Sequence, residues 1–177
     1  MKSEWLEKPF EDCIERVVYS KKIQKKKFLP SGEFPIISQE ESFINGYWNN
    51  KSDVFRVKSP VVVFGDHTQV LKYVDFDFVL GADGVKILRP KAFLDPKYFF
   101  YYLKAINLKH LGYARHYKLL KKIRICYPED LFEQKKIVSN LDKVNASIDQ
   151  LEAVYEKKIS CLKELKRSII KSAVKKG

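Results

Sequence analysis

The sequence has few cysteines, and their spacing excludes the common zinc-stabilised folds. Its three cysteines, Cys13, Cys126 and Cys161, stand far apart and never form a pair at the spacing of zinc ligands. This pattern is typical of proteins in a reducing compartment. The chain also lacks an apolar run of membrane-spanning length, and its first residues, Met1 to Trp5, do not resemble a signal peptide. We therefore expect a soluble protein of the cytoplasm.

Motifs for catalysis are missing as well. Gly81 and Gly84 have neither the third glycine nor the following helix of a phosphate-binding loop. The three histidines accompany no serine or cysteine in a recognisable nucleophile elbow. Asp75 and Asp77 alternate with phenylalanines, which predicts that both carboxylates share one face of a strand. Such a pair could hold a metal ion or act as acid and base, but a solvated strand face is more ordinary. We expect no enzymatic activity, no metal site and no cofactor bound by this chain.

Acidic residues are the minority among the charged side chains. The chain has 34 Lys and Arg against 22 Asp and Glu, a formal net charge of +12. Residues 1–132 carry 23 basic and 16 acidic side chains, and residues 133–177 carry 11 and 6, so both parts are basic. This balance favours a polyanionic partner, although a merely well-solvated surface explains charge alone equally well. Apolar residues at 45%, with 12 Phe and 10 Tyr, suffice for a folded core.

The most regular pattern lies between Phe132 and Ala173. Apolar residues recur there with alternating steps of four and three, as in a coiled coil, with Lys158 in the single polar position. The apolar residues of this helix seam are Ile137, Leu141, Val144, Ile148, Leu151, Tyr155, Leu162, Leu165 and Ile169. The pattern predicts one helix of about 60 Å at about 1.5 Å per residue. A domain of ordinary size cannot cover so long a seam, and no other stretch of the chain has this period. We therefore expect another chain as its partner.

The residues before the helix alternate between short β-rich runs and turns. Predicted elements include a buried strand from Val61 to Phe64, a helix from Asp95-Pro96 to about Asn107, and a last strand from Ile123 to Tyr127. Pro128 ends that strand. The sequence therefore predicts an α+β protein, with a globular domain over residues 1–128 and one long helix over residues 129–177.

Two predicted loops, at residues 65–69 and 112–118, carry side chains of the types that reach base edges and phosphates. Their candidate DNA contacts are His67, Thr68, Gln69, Tyr113, Arg115, His116 and Tyr117. In the lysine run over residues 21–27, Lys22, Lys25 and Lys26 are candidates for phosphate contacts, although such runs are usually solvated loops. For each residue alone, packing or turn capping is the more ordinary role. Both loops together, on a basic domain, favour DNA binding.

Several segments resemble the specificity subunit of type I restriction-modification systems. Near the helix they are Tyr127-Pro128, Glu133-Gln134-Lys135-Lys136-Ile137-Val138, Leu141-Asp142, Ile148-Asp149, Leu151 and Leu165-Lys166-Arg167-Ser168-Ile169. Upstream, four stretches resemble a target recognition domain of that family: residues 32–38, 44–47, 63–66 and 85–90. The resemblance covers nearly the whole chain, with its most specific motifs in the helix.

The resemblance implies a non-catalytic reader of double-stranded DNA. In the family, each recognition domain reads one half of a split site through the major groove. Long helices act as a ruler between two domains and dock methyltransferase subunits, which bring S-adenosylmethionine and methylate adenine. A separate translocase-nuclease subunit restricts unmodified DNA. This sequence has one domain and one helix where the family has two of each, so it is either a half-subunit or a fragment of a longer one. An antiparallel homodimer through the helix seam would restore both, with an interrupted palindrome as its target.

Two other functions are left open by the sequence. A coiled-coil scaffold or adaptor would use the helix seam to bind another protein, and its basic surface would be incidental. A nuclease or self-contained methyltransferase would need an acidic metal cluster or a cofactor loop, and the sequence shows neither.

Overall fold

The computed structural model describes residues 4–106, 108–109, 112 and 114–174. The chain divides into two compact units, Met1–Lys136 and Ile137–Gly177. Within the described residues, the first unit contains eleven strands: β1 Trp5–Pro9, β2 Ile14–Glu15, β3 Lys22–Ile23, β4 Phe34–Ile37, β5 Gly46–Trp48, β6 Val54–Phe55, β7 Val61–Gly65, β8 Leu71–Val74, β9 Phe78–Gly81, β10 Val85–Pro90 and β11 Arg124–Pro128. The helices are α1 Phe10–Cys13, α2 Pro96–Ala105, α3 Tyr117–Leu120 and α4 Leu131–Val174, and 3-10 turns form at Lys25–Lys27 and Lys51–Asp53.

The strands form three sheets. A four-stranded antiparallel sheet has the order β2-β10-β7-β8, and a two-stranded antiparallel sheet pairs β1 with β11. A mixed sheet has the order β3-β9-β4-β5, with β6 also paired to β9. In that sheet β3 and β4 run parallel to β9, whereas β5 and β6 are antiparallel to their neighbours. This arrangement confirms the α+β class.

The core lies where the four-stranded sheet meets the mixed sheet. Val61, Val63 and Val74 of the four-stranded sheet share one buried cluster with Phe78 and Leu80 of the mixed sheet. Helix α2 contacts β7, β8 and β10, and β7 is buried along its whole length. A central strand covered on both faces needs apolar residues at consecutive positions. This explains the unbroken β-branched run that predicted β7.

Local signals predicted several elements correctly. The Asp95 carboxylate accepts hydrogen bonds from the Lys97 and Tyr98 amides at 2.9 Å each, which confirms the predicted helix N-cap. Helix α2 ends at Ala105, and Asn107, the expected end, lies outside the described residues. The long helix is also confirmed, since α4 runs unbroken over 44 residues.

The prediction for Asp75 and Asp77 is wrong. Strand β8 ends at Val74 and β9 begins at Phe78, so both aspartates lie in the turn between strands. The Asp77 carboxylate accepts a hydrogen bond from the Val57 amide at 2.8 Å and contacts the Arg56 guanidinium. The Val57 hydrogen bond, followed by the Arg56 contact, lowers the pKa of Asp77. Asp77 thus binds the segment after β6, which the alternation of the sequence could not reveal.

Gln134 holds the first turn of α4 to the rest of the first unit. Its side chain is fully buried. The amide oxygen accepts from the Asp95 backbone N–H at 2.8 Å, and the amide nitrogen donates to the carbonyls of Phe93 at 3.0 Å and Pro128 at 2.8 Å. One glutamine therefore satisfies three backbone groups at the N-terminus of α2 and the end of β11.

Replacing Gln134 by Met should destabilise the first unit strongly. Methionine matches the length of glutamine but leaves the Asp95 amide, the half-buried Phe93 carbonyl and the buried Pro128 carbonyl without these hydrogen bonds. A single unsatisfied buried group costs about 1–3 kcal/mol. We expect a loss on the order of 3 kcal/mol in the free energy of unfolding, measured by urea denaturation with tryptophan fluorescence. The matched control is Lys135→Met at the exposed neighbouring position, with a change within about 0.5 kcal/mol. Equal stability of the two variants would contradict this role.

Candidate nucleic-acid interface

The first predicted loop is the turn of a hairpin between β7 and β8. The Gly65 amide donates to the Val70 carbonyl at 2.9 Å, and the Gln69 amide donates to the Gly65 carbonyl at 2.8 Å. Gln69 adopts a left-handed conformation with φ of 60°. These bonds fix the backbone of the turn, so that the exposed Thr68 and half-buried His67 stand at its tip.

Asp66 joins this turn to the second predicted loop. Its backbone carbonyl accepts from the His116 amide at 2.8 Å and lies 3.0 Å from the His116 Nδ1. Its carboxylate accepts from the Tyr117 amide at 2.7 Å, and its own amide donates to the Gly84 carbonyl at 2.7 Å. Asp66 is 4% exposed and His116 is fully buried. The structure therefore brings the two predicted loops together through a buried aspartate that was absent from the predicted contacts.

Gln39, which follows β4, packs against the same turn. Its side-chain oxygen accepts from the His67 amide at 3.3 Å, and its carbonyl accepts from the Thr68 hydroxyl at 2.6 Å. A Cβ added at Gly65 would lie 2.2 Å from the Thr68 hydroxyl oxygen. At Gly84, where φ is +72°, a Cβ would lie 2.8 Å from the His67 ring. Both positions need glycine because the segments approach so closely.

Basic and aromatic side chains form the adjacent surface, which we call the basic-aromatic surface and define by Tyr19, Lys22, Lys86, Tyr117 and Lys121. The Lys86 ammonium lies 5.3 Å from the centre of the Tyr117 ring, and that of Lys121 lies 5.7 Å from it. The Lys22 ammonium lies 5.1 Å from the Tyr19 ring centre. Strand alternation explains Lys86, since its neighbours on β10 point into the core.

Burial and nearby charges shift the pKa values of two side chains on this surface. Burial, and next the nearby charge of Lys86, lowers the pKa of Lys22. The Lys22 ammonium donates to the Val85 carbonyl at 3.0 Å, which holds it beside Lys86. Burial raises the pKa of the Tyr117 hydroxyl, and the charge of Lys121 opposes that rise. A phosphate placed between Lys22 and Lys86 would relieve their repulsion, whereas Lys121 already forms an ion pair with Glu11 at 2.7 Å.

The remaining predicted residues differ in their access to solvent. Lys25 and Lys26 lie exposed in a 3-10 turn, and Lys25 forms an ion pair at 2.9 Å with Glu40, the residue after Gln39. Arg115 is exposed, whereas Gln69 is half-buried. Tyr113 lies outside the described residues. The predicted residues therefore include both exposed side chains and buried ones that hold the loops, a distinction that the sequence could not make.

Lys72 is a further buried residue that sequence reasoning missed. Although it lies on β8, its ammonium donates to the carbonyls of Ser42 at 2.6 Å and Phe43 at 3.3 Å, and to the Asn45 side-chain oxygen at 3.1 Å. Burial lowers its pKa to about 8. Lys72 thus fixes the loop between β4 and β5, on which Phe43 and Ile44 are exposed.

Within the described part of the chain, no helix is both long and apolar enough to cross a membrane. Those residues also contain no group of three or more His, Cys, Asp or Glu side chains arranged to hold a metal ion.

Comparison with known proteins matches this chain to a family model and to a curated protein of the same kind. The model of the family described as "Type I restriction modification DNA specificity domain" matches residues 2–160. The specificity subunit of the type I restriction enzyme EcoR124I/EcoR124II from Escherichia coli is 29% identical over 146 residues, covering 74% of this chain and 35% of that protein. The chain thus spans about a third of the length of this curated relative.

Solved structures share the fold. The HsdS subunit from Thermoanaerobacter tengcongensis matches with a TM-score of 0.62 and 18% identity, over 85% of this chain and 39% of that one. The type I restriction-modification S subunit from M. genitalium matches with a TM-score of 0.59 and 16% identity, over 85% of this chain and 41% of that one. A third match is a chain from a structure described as the structural basis of complex assembly and conformational transition of the type I R-M system. Its TM-score is 0.69 and its sequence identity 19%, over 91% of this chain and 43% of that one.

Replacing Asp66 by Ala should release the second loop from the hairpin turn. The variant loses the buried acceptor of the Tyr117 amide, at a cost of about 1–3 kcal/mol. We expect faster hydrogen exchange at the Tyr117 amide and lower stability. Asp66→Asn is the matched control because it keeps a side-chain oxygen at that position and should retain most of the protection. An unchanged exchange rate in Asp66→Ala would show that the carboxylate does not hold the loop.

Lys72 should make stability depend on pH. Its pKa of about 8 in the folded chain lies below the ordinary value of 10.5, so between these values the unfolded chain binds a proton that the folded chain does not. The contribution of Lys72 to stability is therefore complete above pH 10.5 and is lost as the pH falls through about 8. The difference in unfolding free energy between wild type and Lys72→Met should rise by up to about 1.4 kcal/mol per pH unit above pH 8. A difference between wild type and Lys72→Met that does not change with pH would refute this role.

Proposed function

The chain belongs to the family of type I restriction-modification DNA specificity domains, and from that premise we propose that it reads one half of a split site in double-stranded DNA. In this proposal residues 1–128 form the target recognition domain and residues 129–177 form the spacer helix. The chain supplies sequence recognition and no catalytic step, and it acts on DNA in the cytoplasm.

The observation that carries this proposal is the joining of the two candidate loops by Asp66 beside the basic-aromatic surface. A rigid loop tip next to clustered ammonium groups has the two components that sequence-specific DNA binding requires. Lysines at the surface contact phosphates and position the duplex, while polar side chains at the tip reach base edges in the major groove.

We assign different roles to the candidate residues according to their exposure. Lys22, Lys25, Lys26 and Lys86 contact phosphates. A second group, formed by His67, Thr68, Gln69, Arg115 and Tyr117, contacts bases or sugars. Tyr113 is assigned to the same group from its residue type alone, because it lies outside the described residues. His116 is fully buried, so its proposed role is to position Arg115 and Tyr117 through its bonds to Asp66.

The long helix has two proposed partners. It docks methyltransferase subunits, which bring S-adenosylmethionine and methylate adenine, and it pairs with the helix of a second copy of the chain. A separate restriction subunit with translocase activity completes the proposed complex. The antiparallel homodimer carries one recognition domain at each end, so its target is an interrupted palindrome. The exposure of the helix seam supports a helical partner, and it would equally serve a scaffold protein.

The test is to co-express the chain with candidate methyltransferase subunits and map N6-methyladenine across the host DNA. We expect a single interrupted palindromic motif that disappears when this chain is omitted. A two-part asymmetric motif would preserve DNA reading but reject the homodimer. No new methylation, in a complex shown to assemble, would reject DNA reading and favour the scaffold.

Single substitutions should separate phosphate contacts from base contacts. Lys86→Ala should weaken binding to the mapped motif and to unrelated DNA alike, and should lower the salt-dependence slope by about 1. Arg115→Ala should cost about 1–3 kcal/mol on the motif alone. Fluorescence anisotropy over a range of salt concentrations measures both effects.

The matched control is Lys58→Ala, an exposed lysine of the same domain outside both loops and the basic-aromatic surface. Its affinity should change little for either DNA. If Arg115→Ala weakened both DNAs equally, its assignment as a base contact would be wrong.

A further inference from the structure

The helix seam is uncovered along most of α4. From residue 146 to residue 174 every residue of the helix is exposed. Among the seam residues, exposure rises from 37% at Leu141 to 60% at Ile169. So long an apolar stripe marks an interaction surface, because isolated helices gain little stability from propensity alone.

The spacing of the seam selects one antiparallel alignment with a second copy. In antiparallel coiled coils, residues of the two alternating seam positions face each other across the pair. The alignment that places Ile137 opposite Ile169 also pairs every other seam residue. Its remaining layers are Leu141 with Leu165, Val144 with Leu162, Ile148 with Lys158, and Leu151 with Tyr155.

We propose that α4 binds a second copy of this chain in this register, with the two-fold axis beside residue 153. This inference rests on the homodimer in the proposed function and specifies how its two helices meet. Every apolar seam residue then gains an opposing seam residue, and only Lys158 interrupts the apolar layers.

Other alignments leave seam residues without partners or bring like charges together. Moving the second copy by one heptad in one direction puts Ser172 opposite Leu141 and Lys176 opposite Ile137, and neither is an apolar seam residue. Moving it in the other direction leaves Leu165 and Ile169 without seam partners. A parallel pair in register would put both Lys158 ammonium groups in one layer, whereas the proposed register separates them by about 15 Å along the axis, beyond the screening length of about 8–10 Å.

Val154 supports the same register independently of the seam. It lies beside the seam and is 61% exposed, although nothing in the seam pattern calls for an apolar residue there. At the proposed axis Val154 meets Val154 of the second copy. On the opposite flank Glu152 meets its own copy, and this exposed like-charge pair is weak compared with the apolar layers.

The register has a geometric consequence. Ile137 lies 32 residues before Ile169 in the helix, so the two Ile137 residues of the dimer lie about 48 Å apart along the axis at about 1.5 Å per residue. The register thereby sets the separation of the two Ile137 residues, with which the second unit of each copy begins.

Cysteine crosslinking of the full chain tests the register. The background is Cys161→Ser, which removes the exposed thiol and leaves the buried Cys13 and half-buried Cys126. In that background Val154→Cys should form a disulfide-linked dimer under mild oxidation. The double variant L141C/L165C should also crosslink, whereas each single variant should not.

Three outcomes would overturn the inference. A monomer in sedimentation equilibrium at tens of micromolar would remove the dimer itself. Crosslinking of Leu141→Cys or Leu165→Cys alone would indicate a parallel pair. In a second variant that carries Val154→Cys and keeps Cys161, a disulfide between these two positions, with no bond between the two Val154→Cys residues, would indicate a register shifted by one heptad.

Gln150→Cys is the matched control, since it lies on the far side of the helix from the seam and should not crosslink. The experiment is separate from methylation mapping. Predicted crosslinks without a methylation motif would preserve the register and reject DNA reading. A methylation motif without the crosslinks would preserve DNA reading and reject the register.

Discussion

Buried polar side chains must be hydrogen-bonded, and this constraint determines how the first unit is assembled. Asp66, Lys72 and Gln134 are each nearly or fully buried, and each binds backbone groups from segments far away in the sequence. Because an unsatisfied buried group costs about 1–3 kcal/mol, the segments cannot separate without a large loss of stability. Asp66 holds the two candidate loops, Lys72 holds the loop after β4, and Gln134 holds the beginning of α4.

Local sequence signals were sufficient where short-range interactions determine structure. The N-cap at Asp95, the β-branched run of β7 and the period of α4 all depend on residues within a few positions of each other. The pairing of Asp66 with Tyr117 joins residues 51 positions apart, and no periodic pattern encodes it. The same reason explains the error at Asp77, whose partner Val57 lies on another segment. A sequence can therefore identify the loops, but only the fold shows which residues support them.

In the proposed function, this division of roles would let the recognition domain change its specificity without losing its fold. The exposed residues Thr68 and Arg115 lie next to buried residues that keep their backbone fixed. Substitutions at the tips change few buried hydrogen bonds, and exposed positions usually alter stability by less than about 0.5 kcal/mol. In the proposed function, new target sequences would arise from the tips while Asp66 and Gly65 stay constant. The stability of the domain and its specificity would then be largely independent.

The two units differ in whether they satisfy their own apolar surface. The first unit buries two sheets and α2 against one another, whereas the seam of α4 stays exposed over most of its length. The chain spans about a third of its curated relative. In the proposed dimer a second copy supplies a second helix and a second domain. Because the same apolar layers would set the register and the separation of the domains, the stability of the dimer and the spacing of its half-sites would have one physical origin.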